Sequence, residues 1–198
     1  MHKVLVRHAA AITEATAIRS TVVQSSLTSL RTRGHYDAWC ALVDPKHRDM
    51  LVESIGPSWI PMEAAHAHYA ACEALRLTQS EQLAIGEAVG DRIQGSFLAT
   101  LMKSVRAAGF NPLSLFAHAD RIHARLFQGS SVQVTQTGPK DIDLEIAGVP
   151  LCRYPYFRLG YTGAIHAGFM VVGAPKSHVK QQSYNATHNT FVIHAAWV

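Results

Sequence analysis

The sequence predicts an α+β protein: an N-terminal helical two thirds packed on a C-terminal antiparallel sheet that one helix interrupts. Two observations carry this. Up to about residue 128, apolar residues recur at three- and four-residue spacing, the period of an amphipathic helix. Beyond it, Val132 and Val134, then Ile142, Leu144 and Ile146, then Phe191, Ile193, Ala195 and Trp197 alternate with their neighbours, the period of a half-buried strand. Helical and extended runs are segregated along the chain, which favours an antiparallel over a parallel sheet.

Residues 1–8 hold a short apolar run that fits an edge strand. Val22, Val23, Leu27 and Leu30 predict a helix from about Ser20 to Arg33, stopped by Gly34. Helical character continues from Tyr36 to Val43, halts at Asp44-Pro45, and resumes from His47 to Ile55 before Gly56-Pro57. Trp59 and Pro61 read as a stiff aromatic corner anchoring the core. From Met62 to Leu77, Ala65, Tyr69, Cys72 and Arg76 share one face. Thr78 and Glu81 form a capping box for a helix running to about Ala108, with Ile85, Val89, Ile93, Phe97, Leu101 and Val105 on one stripe. Gly86, Gly90 and Gly95 along it predict close helix packing.

The most informative stretch is Asn111–Val172. Asn111 and Pro112 open a helix and Gly129 closes it. At about 100° per residue, Leu115, Ala119, Ile122 and Leu126 form its apolar stripe. His123 falls on the flank of that stripe, beside Phe116 and Phe127. A hairpin follows, turning at Thr137-Gly138-Pro139-Lys140. After a tyrosine–arginine loop, Phe157, Tyr161, Ile165, Gly168 and Val172 resume helical spacing, and Gly160, Gly163 and Gly168 allow a neighbour or ligand to approach closely. Strands over Ser177–Tyr184 and Thr190–Val198 end the chain.

At 198 residues, 48% apolar and 16% charged, the chain fits one domain over 1–198 with a substantial core. A net charge of +4 is carried by scattered Lys and Arg without an aromatic platform, which argues against nucleic acid. Cys40, Cys72 and Cys152 are odd in number and far apart, as reduced thiols in a cytoplasmic protein would be. No secretion signal and no membrane span is expected.

Twelve histidines invite a metal hypothesis. His66 and His68 diverge by about 200° on a helix, and His118 and His123 by about 140°, so neither pair shares a metal. Asp141, Asp143 and Glu145 fall on the polar face of a strand and read as solvated charges. No nucleophile elbow, phosphate loop or paired-cysteine motif is present, so a non-enzymatic role is expected. His123 reads either as a hydrogen-bonded core residue or as a ligand. In favour of a ligand, Tyr154-Pro155-Tyr156-Phe157-Arg158 places a phenol and a guanidinium before a helix of the same unit. With an imidazole they could hold a flat, acidic, apolar molecule such as haem.

Nearly the whole chain resembles an uncharacterised paralogous protein family expanded in myxobacteria. The matching pieces are IRSTVVQSSL, RTRGHYDAWCALVDPKHRDML, SWIPMEAAHAHY, IGEAVGDRI, LFAHADRIHARLFQG and FVIHAAW. That family brings no activity. A more distant resemblance is to the superfamily joining haem nitric-oxide/oxygen-binding (H-NOX) domains, 4-vinyl-reductase-type ligand domains and TRAPP transport subunits. Ala-Asp-Arg-Ile-His resembles the haem members' proximal-ligand motif, with Ala119 where that pattern has leucine. Tyr-Pro-Tyr-Phe-Arg resembles their propionate-gripping motif, with Tyr156 in place of a serine. The resemblance implies a ligand-sensing module and makes a homodimer plausible. The expected site comprises His123, Tyr154, Arg158, Phe116, Tyr156 and Gly168, taking a small apolar ligand between helix 111–128 and the sheet and signalling to a protein partner. Two alternatives stand: a haem-binding gas sensor with His123 as the metal ligand, and a protein-binding scaffold with a filled core.

Overall fold

The computed structural model describes residues 2–54, 56–93, 112–174 and 176–198. Strand β1 (Lys3–Val6) is followed by β2 (Ala17–Arg19), then helices α1 (Ser20–Thr32), α2 (Tyr36–Leu42) and α3 (Pro45–Glu53). Strand β3 (Trp59–Pro61) leads into α4 (Met62–Ala74) and α5 (Gln79–Ile93). Short helices α6 (Pro112–Phe116) and α7 (Ala119–Leu126) precede β4 (Phe127–Gln128) and the hairpin β5 (Ser131–Gly138) and β6 (Asp141–Ala147). A 3-10 turn at Pro150–Arg153 enters α8 (Pro155–Val171), and β7 (Ser177–Asn185) and β8 (Thr190–Trp197) complete the order.

The main sheet is antiparallel in the order β1-β5-β6-β8-β7, with β1 on an edge. Val134 pairs with Leu144, and Leu144 with Ile193, so these side chains share the inner face. Against that face lies α8: Phe157 and Tyr161 meet Phe191 edge-on, and Phe169 lies 5.4 Å from the Trp197 ring. Each fully buried side chain of this kind contributes roughly 1.5–3 kcal/mol. On the polar face Asp143 accepts a hydrogen bond from His194 Nδ1 at 2.8 Å, and Glu145 lies 3.6 Å from His8.

Glycine permits the approach of α5 to α8. A Cβ on Gly86 would stand 2.1 Å from the Gly160 carbonyl oxygen, and one on Gly163 would stand 2.2 Å from that of Leu83. The capping box also forms: the Thr78 amide donates to Glu81 at 2.8 Å and the Glu81 amide to the Thr78 hydroxyl. The expected extension of α5 to Ala108, with Gly95, Phe97, Leu101 and Val105, lies outside the described residues, as does Asn111.

Several expectations are corrected. The helix expected to run unbroken to Gly129 breaks at Ala117–His118 and ends at Leu126. Phe127 leaves it because its backbone pairs with Ile18, in a small sheet of order β3-β2-β4. Gly129, with φ +82°, serves the turn after β4 and not a helix cap. The α+β class stands as expected, with short strands set among the helices of the first two thirds. Arg76 is exposed with φ 53°, beyond the end of α4, so it shares no helical face with Tyr69. Pro155 opens α8 in the position where a missing N–H is harmless, which moves Arg158 from a loop into the first helical turn. Trp59 is half-buried beneath the Arg19 guanidinium, 3.8 Å from its ring, and Ile60 fills the core instead.

Candidate functional site

An apolar cavity of about 140 Å³ opens between α1, α4, α5, α6, α7, α8 and the inner face of the sheet. The α7 stripe supplies Ala119, Ile122 and Leu126, the sheet Val132 and Leu144, and α5 Ile85 and Val89. Gly160 and Gly168 keep the α8 wall low: a Cβ on Gly160 would meet nothing within 4 Å, and one on Gly168 would touch only Leu115, at 3.7 Å. No charged side chain lines it among the described residues.

Behind the wall of α1 and α4 runs a buried polar chain. The Ser26 hydroxyl is 3.1 Å from His68 Nε2 and 3.2 Å from the Tyr156 hydroxyl, and Cys72 Sγ is 3.6 Å from His68 Nε2. Burial holds His68 neutral, its pKa pushed down from 6.5 to about 3, and pushes the Tyr69, Tyr156 and Cys72 groups up.

Phe116 and Gly168 line the cavity; His123, Tyr154, Tyr156 and Arg158 do not. His123 is buried beside Phe127, ring centroids 5.0 Å apart, with Nε2 2.8 Å from the Ser130 hydroxyl. Ser130 donates its own proton to the Gly129 carbonyl. With that proton committed, the tautomer that donates from Nε2 satisfies the contact, and Nδ1 is left a buried lone pair without a partner among the described residues. Burial, with His8 nearby, lowers its pKa to about 4. Phe116 packs on Phe169 at 5.1 Å rather than on His123. Arg158 donates to the Cys152 carbonyl and to Gln181 Oε1 and stacks over Tyr184, 4.4 Å from its centroid. The Tyr154 hydroxyl pairs with His66 Nδ1 at 3.3 Å. Thus α6, α7 and the sheet do converge on an apolar space, but the imidazole, phenol and guanidinium do not converge with them.

Ser26, Tyr69, Ile85 and Val89 on the wall did not stand out as site residues in the sequence. The glycines of α5 and α8 were the available signal, because they reveal that these helices meet.

No family model matches the sequence, and no curated protein matches it. Solved structures do. An H-NOX protein from K. algicida in its Fe(II) unliganded form superposes with a TM-score of 0.67 over 91% of this chain and 97% of its own, at 8% identity. A doubly substituted Tt H-NOX gives 0.62 at 12% identity over 91% and 95%. An oxygen-binding H-NOX domain related to soluble guanylate cyclases, in its oxygen complex, gives 0.58 at 13% identity over 90% and 94%. At these identities the likeness is one of fold: the chain adopts the α+β H-NOX architecture.

Proposed function

We propose that this chain is a non-enzymatic small-molecule sensing module, one domain over 1–198, whose ligand occupies the apolar cavity. The observation that carries the reading is the cavity itself. Its volume of about 140 Å³ is close to that of voids of about 150 Å³ that stay dry and bind benzene or xenon. All four stripe residues line the cavity and three of them lie on α7, a short helix set off from α6 by a break, so filling the space bears on the position of α7, and a partner reads that shift. Toluene titration of the full chain, followed by thermal unfolding, tests this. Saturable stabilisation that disappears in Gly168→Leu, with the variant still folded, is the expected result. Toluene binding undiminished in a variant shown to have closed the cavity removes the ligand from this place.

The solved neighbours favour a second reading, a haem-binding gas sensor. Work on one of them concerns haem redox potential and porphyrin distortion, and another is an oxygen complex. As placed here, the residues do not fit a haem. A drug-sized or larger ligand requires about 300 Å³ or more, twice the space present. The Nε2 of His123 carries a proton committed to Ser130, and Arg158 is committed to Cys152 and Gln181. The haem reading therefore requires α7 to turn His123 inward and the cavity to widen. An absorbance spectrum during haemin titration decides it. A saturable Soret band at one haem per chain, lost in His123→Ala, establishes haem; a flat spectrum retires it.

A further inference from the structure

The cavity is apolar except for three hydroxyl-bearing residues on its wall: Ser26, Tyr69 and Tyr161. The Ser26 hydroxyl is already held between His68 and Tyr156. Tyr161 likewise makes no hydrogen bond to a described residue, but it is the more exposed of the two tyrosines. Tyr69 is the more deeply set. It is 5% exposed, and its ring is fixed by edge contacts with His68, at 4.9 Å, and Phe157, at 5.2 Å. Its hydroxyl makes no hydrogen bond to any described residue, yet it is not among the polar atoms sealed off from open space. A buried phenol O–H without an acceptor is costly, and one beside a void is satisfied by whatever fills the void.

The rest of the wall sets the remaining properties of that occupant. No charged side chain reaches the cavity among the described residues, and burial keeps the nearby imidazole and phenols uncharged, so an ion would be left without a counter-charge. The volume admits a single small ring.

We propose that the cavity takes a neutral, ring-sized molecule carrying one hydrogen-bond-accepting oxygen, a small carbonyl or ether compound, held by a hydrogen bond from the Tyr69 hydroxyl. This rests on the cavity being the ligand site. Ser26, anchored by His68 and Tyr156, stiffens the wall, and the apolar residues of α5, α7 and α8 take the ring.

The test compares cyclohexanone with toluene, a ring of similar size without an acceptor, on the full chain. Both bind the wild type. Tyr69→Phe weakens cyclohexanone about three- to tenfold and leaves toluene within about twofold, whereas Tyr161→Phe changes neither. Equal losses for the two probes, or a loss that follows Tyr161, overturn the assignment. A measurement on the unaltered protein guards against a variant that fails to fold. The infrared carbonyl stretch of bound cyclohexanone should fall relative to its value in an alkane. Toluene binding with an unshifted carbonyl overturns the hydrogen bond and leaves the cavity reading standing; failure of both probes to bind removes both.

Discussion

His123 donates from Nε2 to the hydroxyl of Ser130, 2.8 Å away, and Ser130 in turn donates to the backbone carbonyl of Gly129. The serine is thus the acceptor that satisfies a buried imidazole N–H, and it holds that position in a left-handed conformation, φ 63°. Ser130→Ala keeps the backbone demand and removes the acceptor. It should lower stability by about 1–3 kcal/mol, the cost of an unsatisfied buried donor, measured by urea denaturation at pH 7.5. An unchanged midpoint would show that His123 finds another partner. Under the haem reading the same variant frees Nε2 and should strengthen haemin uptake, so one protein tests both statements.

Two buried histidines make the fold acid-sensitive. Burial lowers His123 to about 4 and His68 to about 3, below their ordinary 6.5. Between those values the unfolded chain binds protons that the folded chain refuses. Their contribution is therefore fully present above pH 6.5 and is lost as pH falls toward the folded-state values. At pH 5 each histidine withdraws about 2 kcal/mol, a large share of an ordinary stability of about 5–15 kcal/mol. The urea midpoint should fall steadily from pH 7.5 to 5. The Cε1–H resonances of both rings should hold their neutral positions throughout that range. A transition centred near pH 6.5 for either ring contradicts its burial as an uncharged group.

What the sequence made legible was local. Alternation of Val132, Val134, Ile142, Leu144 and Ile146 gave the hairpin and its inner face, and Thr78 with Glu81 marked a helix start that forms as expected. The small sheet was not legible, because β2, β3 and β4 are three, three and two residues long and too short to show a period of two. For the site, the α7 stripe was readable and does line the cavity. Which way His123 turns was not. About 100° from Ile122 on the helix, its direction depends on Ser130 and Phe127, and those are placed by a turn after β4 and by pairing with Ile18, neither visible in a helical period. In the sequence Tyr69 only shares a helical face with Ala65 and Cys72, and its place on the cavity wall emerges once α4 is set beside that space.

Three glycines separate close packing from empty space. A Cβ on Gly86 or Gly163 collides with opposing backbone at 2.1 or 2.2 Å, whereas one on Gly168 makes an ordinary 3.7 Å contact with Leu115. Gly86→Ala and Gly163→Ala should each lose about 1–3 kcal/mol or more, since α5 and α8 must part. Gly168→Ala should gain about 0.5–1 kcal/mol, because alanine restricts the unfolded helix segment and nothing resists it. Chemical denaturation of the three variants reads the opposite signs directly. Destabilisation by Gly168→Ala would mean that the space beside Leu115 is already filled.

Thiol reactivity reports on the same interior. Cys72 lies in the buried chain with His68, and Cys152 is packed beneath the start of α8; burial pushes both thiols up, away from the reactive thiolate. Cys40 is half-buried on α2. Iodoacetamide at pH 8 should therefore label Cys40 in the native protein and reach Cys72 and Cys152 only as the chain unfolds, with urea bringing in the last two together. Mass spectrometry of peptides after brief labelling resolves the order. Early labelling of Cys72 would mean that the wall of α1 and α4 opens in the native state, exposing Ser26, His68 and Tyr69 to water and leaving the hydroxyl of Tyr69 no need of a bound acceptor.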